Sequence, residues 1–144
     1  MRTLLDTSCM VAALCTWHEH HEITKAEIER SLRIKDALIF AAPSLVETYA
    51  VLTRLPPPHR LSTQDALVLL ESNWGGAEVA ALTPSEYWKL LRDCRDNSIV
   101  GGQVYDAVIM ACARKARVER LLTWNLDHFT PFDENIIVTV PGQR

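Results

Sequence analysis

At 144 residues the chain fits one domain, 1–144, and is long enough to bury a full core without staples. Its formal net charge of −3 excludes a global basic field, so a bound polyanion would have to be held by a local basic patch or by metal. With 48% apolar residues and no apolar run near the ~20 of a transmembrane helix, it reads as a soluble globular protein with no membrane span.

The first apolar run, Thr3–Leu5 in "TLLDTS", has the character of a short buried strand and ends on an acid, Asp6. Arg2 and the small residues beyond it superficially resemble a secretion signal, but Asp6 divides the apolar stretch into pieces too short for one. The expected compartment is the cytoplasm. Helical patterns follow at Cys9–Leu14 and about His20–Arg33, then a strand at Ala37–Ala41 and a helix at Leu45–Arg54. The three prolines of "LPPPHR" must end that helix. Beyond them come a helix at Thr63–Asn73, a strand at Glu78–Ala81 and a helix at Pro84–Asn97. The last helix, Val104–Lys115, puts Val104, Val108, Ala111 and Cys112 on one face, and strands are expected at Arg120–Thr123 and Ile136–Val138.

Helix starts are marked chemically. "TPSE" supplies an N-cap Thr83, a proline at the first helical position and Glu86 three residues after the cap, and Ser62 and Ser44 open similar signals. Strands alternating with helices argue for a mainly parallel sheet covered on both faces. The four cysteines, Cys9, Cys15, Cys94 and Cys112, lack zinc-ligand spacing and lie in apolar helical contexts, as buried free thiols do.

In open α/β sheets ligands bind beyond the carboxyl ends of the strands, and several polar groups are expected at that rim. Asp6 follows the first strand, Glu47 is expected in the first turn after "ALIFAA", and Asp106 lies in the first turn of the helix opened by "VGGQVYD". Thr123, Trp124 and Asn125 follow "RLL", with Asp127 two residues further on. Each has an ordinary alternative: Glu47 could complete a capping box with Ser44, Asp6 and Asn125 could cap helices, and Asp106 could answer a helix dipole. Together they fit those roles less well. Carboxylates gathered at one rim repel one another, and a hard divalent cation such as Mg²⁺ or Mn²⁺ is the natural counter-charge.

The ordered set "LLDTS", "PSLVETYAVLTRLP" and "GGQVYDAVIMACARKARVERLLTWNLDHFTPF" resembles the PIN-domain nucleases, most closely the VapC-type toxins of toxin–antitoxin pairs. The middle of the chain, residues 56–88, matches only in general pattern. The resemblance implies an α/β fold, a three-layer α/β/α arrangement around a parallel sheet of about five strands. It further implies a metal-dependent endoribonuclease acting on structured RNA such as tRNA or ribosomal RNA. By the same resemblance Asp6, Glu47 and Asp106 are expected as the acidic metal ligands, with Thr7, Ser8 and Thr123 as hydroxyls that orient them. One departure stands out: the residue after "TW", often Asp in the family, is Asn125 here, so it or Asp127 takes the fourth position.

The expected partners are RNA, a VapB-type antitoxin and a second copy of the chain. Met10, Leu14 and Trp17 recur at helical spacing, as core or as a groove for the antitoxin. Arg92 and Arg95, and Arg114, Lys115, Arg117 and Arg120, are candidate RNA patches or simply solvated helix faces. His18, His20 and His21 in "WHEHHE" are expected as solvated helix-start residues, with an RNA-facing role as the minor alternative. One competing reading remains, a PIN-like domain that binds RNA or protein without cutting, which Asn125 favours. A haloacid dehalogenase-like phosphotransferase is set aside, because it needs a second Asp where Ser8 stands.

Overall fold

A computed structural model describes residues 1–132 and 135–143. Among these, strands and helices alternate as the hydrophobic pattern requires: β1 (Arg2–Leu5), α1 (Thr7–Leu14), α2 (His21–Arg33), β2 (Ala37–Ala41), α3 (Ala42–Arg54), α4 (Thr63–Trp74), β3 (Glu78–Ala80), α5 (Pro84–Asp96), α6 (Gln103–Lys115), β4 (Arg120–Leu122) and β5 (Ile137–Thr139). All five strands are parallel, in the order β3-β2-β1-β4-β5. The chain leaves β1 toward β2 and β3, then returns to lay β4 on β1's other side. That reversal of strand order opens a crevice between the carboxyl ends of β1 and β4.

The sheet is buried on both faces. Leu4, Ile39 and Leu121 pack with Ile109, Met110 and Ala113 of α6 on one side, and Leu5, Phe40 and Leu122 with Cys9, Met10, Leu70 and Trp74 on the other. Helix α5 packs behind α6 through Leu90 and Cys94. Burying each such side chain stabilises the fold by roughly 1.5–3 kcal/mol. All four cysteines are buried free thiols, and no helix among the described residues is long and apolar enough to cross a membrane.

The cap at Thr83 forms as its sequence requires, with Glu86 returning a bond to the Thr83 backbone. The Lys115 ammonium beside Glu86 pulls its carboxyl down to about 2. Ser62 caps α4 through the Asp65 amide. Ser44 does not cap α3, which begins two residues earlier because Pro43 costs nothing in a first turn, where its missing N–H would be unpaired anyway. Ser44 therefore lies inside the first turn, its buried hydroxyl without a partner among the described residues, and Glu47 moves to the second turn. Helix α1 likewise starts at Thr7 rather than Cys9, and β5 sits one residue later than its hydrophobic pattern suggests.

Packing decides two readings that the sequence leaves open. Met10 is fully buried and Leu14 partly buried in the core, so of that apolar series only Trp17 is exposed. Arg120 is no RNA contact. It is buried at the amino end of β4, where it donates to Glu27 at 3.0 Å, Ser31 at 3.4 Å and Thr3 at 3.3 Å, with Asp36 at 3.9 Å.

Candidate active site

The turn out of β1 places Asp6 at the N-cap position of α1, yet its side chain makes no capping bond. Its Oδ2 instead accepts hydrogen bonds from Thr123 Oγ1 at 2.8 Å and Ser8 Oγ at 3.1 Å. Both hydroxyls are themselves held by backbone at the end of β4: Trp124 N–H donates to Ser8 at 2.9 Å and Asn125 N–H to Thr123 at 2.9 Å. Asp6 is only 7% exposed, and among the described residues its Oδ1 takes no hydrogen bond. Register produces this arrangement, since Leu5 pairs with Leu122 and the next residues of both strands meet at the rim.

Helix α3 brings Glu47 to the same place, where Thr7 Oγ1 donates to its Oε2 at 3.2 Å. Helix α6 brings Asp106 in its first turn, after Gly101 turns the chain with a φ of 60°, a conformation that side chains with a Cβ rarely adopt. Burial pushes the Asp106 carboxyl above its ordinary range, and the charges of Asp6 and Glu47 push the same way against the opposing His128. His128 Nδ1 stands 3.8 Å from Asp106 Oδ1. Asp106 thus senses the charge of the other two acids across one cleft.

That cleft has a volume of about 1280 Å³. Asp6, Glu47, Asp106, Asn125, Thr7 and Ser8 line it, whereas buried Thr123 acts from behind through Asp6 and Asp127 does not line it. Asn125 precedes the short 3-10 turn Leu126–His128 without capping it, so its amide is not committed to that turn. No lysine or arginine lines the cleft among the described residues. Hard oxygen donors without a basic partner suit a hard divalent cation. Among the described residues no three acid, histidine or cysteine side chains are close enough to grip an ion together as they stand, so binding one requires carboxylates to turn inward. The thiol of Cys9 is no nucleophile: burial, then Asp6, hold it well above its ordinary pKa.

The histidines of "WHEHHE" are not simply solvated helix-start residues: His18 and His20 are half-buried and His21 is buried. His18 and His20 line the cleft, and buried His21 bonds the Ala12 carbonyl through Nδ1 at 2.9 Å. Burial and the neighbouring His20 push the His18 imidazole below its ordinary value. Sequence reading also missed His128. Its only signal was its place in "NLDHF", one residue after the acid considered in its stead.

A PIN-domain family model matches residues 3–133. The chain belongs to the PIN-domain family. It is 36% identical over 121 residues to ribonuclease VapC40 of Mycobacterium tuberculosis, 84% of each chain, which makes it a VapC-type member. Its fold is similar to that of Mycobacterium tuberculosis VapC20, described as a toxin that cleaves the sarcin–ricin loop, with a TM-score of 0.70 over 94% of this chain and 98% of that one at 17% identity. It is equally similar to VapBC2 of Rickettsia felis, solved bound to a DNA fragment from its own promoter, with a TM-score of 0.70 over 97% and 98% at 16% identity. At those identities the likeness is one of fold. The three-layer α/β/α architecture expected for the family is the one observed.

Proposed function

We propose that this VapC-type ribonuclease is a single PIN domain that hydrolyses RNA phosphodiester bonds with a divalent metal, Mg²⁺ or Mn²⁺, held by Asp6, Glu47 and Asp106. The observation that carries this reading is the cleft itself: three carboxylates line it, the charges of two are felt by Asp106, and no lysine or arginine lies among them. The ion would supply the missing counter-charge, lower the pKa of a water and offset the charge that develops on the phosphodiester. The protein's own contribution is position. Thr123 and Ser8 fix the Asp6 carboxylate with Oδ1 left uncommitted, and Thr7 steadies Glu47, which can orient the attacking water. Asn125, which lines the cleft, adds a neutral oxygen without further repulsion. Hydrolysis leaves a 5′-phosphate and a 3′-hydroxyl.

The structural neighbours include toxin–antitoxin complexes. On that basis the partner is a VapB-type antitoxin, the setting is the cytoplasm, the substrate is a structured RNA such as tRNA or ribosomal RNA, and the working form is a homodimer. The test is cleavage of total RNA by purified protein with Mg²⁺, Mn²⁺ or EDTA. Metal-dependent cutting that vanishes in Asp6→Ala and Asp106→Ala is expected. Cutting that survives either substitution, or persists in EDTA, would sink the reading. Asn125 in place of an acid favours one other reading, a PIN-like binder of RNA or protein that does not cut. A thermal shift measured with Mn²⁺ separates the two, because a chain that does not bind the ion gains no stability from it.

A further inference from the structure

Five rings run outward from the acid cleft in a continuous series. His20 lies flat on Trp124, with centroids 3.8 Å apart and planes 9° apart. His18 stands 5.6 Å from His20 at 44°, and Trp17 stands 5.9 Å from His18 at 42°. Trp17 stacks on His59 at 4.2 Å and 24°. The inner end belongs to the site, since Trp124 lies between Thr123 and Asn125 and lines the cleft with His18 and His20. The outer end is wet: Trp17 remains 47% exposed even with His59 upon it.

The inner rings are held by hydrogen bonds. Trp124 Nε1 donates to Thr24 Oγ1 at 2.9 Å, its backbone N–H to Ser8, and the His20 N–H to His18 Nδ1 at 3.0 Å. Fixed rings bind a flat partner with little further ordering cost. Electrostatics leave few other means of holding RNA here. None of the basic candidates, Arg92, Arg95, Arg114, Lys115, Arg117 and Arg120, lines the cleft, and Arg120 is buried against Glu27. A cleft without lysine or arginine cannot clamp phosphates, whereas every nucleobase has a face that can stack on a ring.

We propose that Trp17, His18, His20, His59 and Trp124 form a nucleobase-stacking track that holds single-stranded RNA beside the scissile phosphate. The proposal rests on the nuclease reading for its substrate. It assigns binding to base faces rather than to phosphates.

The test is fluorescence anisotropy in EDTA, where a metal nuclease leaves RNA intact, with labelled oligouridylate and oligoadenylate of about eight nucleotides. The same oligomers with abasic central positions serve as comparison. Trp17→Ala and His20→Ala are each expected to weaken binding about tenfold. Trp17→Phe should recover most of the loss, and Trp88→Ala, an exposed ring on α5 outside the cleft, should bind as the parent does. The abasic oligomers should bind as weakly as the Ala variants. Equal binding of abasic and intact RNA, or parental binding by both Ala variants, would overturn the track. So would a loss confined to an antitoxin peptide with RNA binding intact. Should Trp17→Ala fail to fold, His59→Ala removes its stacking partner at the exposed end and decides the same question. Cleavage by the parent with Mn²⁺ is scored separately. Base-dependent binding without cleavage would remove the nuclease reading and keep the track, and cleavage with base-independent binding would do the reverse.

Discussion

Strands β1 and β4 carry buried polar groups at both ends, and the two ends are treated in opposite ways. At the amino end Glu27 and Asp36 face Arg120, whose guanidinium also reaches Thr3 and Ser31. At the carboxyl end buried Asp6, half-buried Asp106 and exposed Glu47 meet hydroxyls and an exposed His128, with no lysine or arginine lining the cleft among the described residues. The same fold therefore neutralises one group of carboxylates with its own arginine and leaves the other uncompensated. A buried charge is costly unless it is paired, so buried Asp6 and half-buried Asp106, with exposed Glu47 beside them, are what the proposed cation would compensate.

The contrast can be broken from either side. Arg120→Ala takes from the buried Glu27 carboxylate its 3.0 Å partner, with Arg30 at 3.8 Å remaining, and should cost about 3 kcal/mol in denaturant unfolding. Arg120→Met with Glu27→Leu should recover much of that loss, because the apolar pair leaves no unpaired charge between them. A cost below about 1 kcal/mol for Arg120→Ala would mean that the amino end is solvated like a surface pair and is not compensated internally. At the other end, Asp6→Asn keeps the acceptor for Thr123 and Ser8 but removes the charge. Cleavage of RNA with Mn²⁺ should fall by on the order of 10²–10³-fold while the melting temperature changes little.

Much of this could be read from the chain before any distances were known. The strand–helix alternation, the Thr83 cap and the prolines that end α3 are local, and local chemistry decided them. Asp6 and Glu47 were legible because a parallel sheet delivers the residues beyond its strands to one rim, and Asp106 because it opens the helix that runs back from that rim into β4. The hidden features were set by partners remote in sequence. Arg120 reads as part of a basic run, and only Glu27, 93 residues away, makes it a core residue. "WHEHHE" reads as a polar helix start, and its rings are ordered by Trp124 and His59 from other parts of the fold. Asn125 and Asp127 differ by two residues, but the backbone turn between them keeps one in the cleft and sends the other to solvent.

A smaller effect should separate positioning from charge. Thr123 touches no substrate in this reading; it holds Asp6 while accepting the Asn125 amide. Thr123→Val keeps the shape and removes both bonds, and a support of this kind typically costs 10–100-fold, roughly, in metal affinity or activity. Thr123→Ser should restore most of it, and the loss should show as a weaker Mn²⁺ thermal shift as well as slower cleavage. Equal Mn²⁺ affinity in Thr123→Val would mean that the carboxyl end needs no support behind Asp6.

The smallest effect has the most informative sign. Burial first, then Asp6 and Glu47, raise the Asp106 carboxyl above its ordinary range despite His128. The folded chain therefore holds this proton to higher pH than the unfolded chain does. Whatever stability the protonated form contributes is present below the unfolded pKa and lost as pH rises through the folded one, so at neutral pH the ionised group works against folding. Asp106→Asn removes that penalty. In EDTA at neutral pH the variant should melt a few degrees higher than the parent at most, and the gap should close as pH falls through the ordinary carboxylate range. Saturating Mn²⁺ should reverse the order, since the parent's carboxylate then faces a cation and binding stabilises the folded chain. A parent more stable than Asp106→Asn in EDTA at neutral pH would mean that these acids are already compensated from within, and the two ends of the strands would no longer differ.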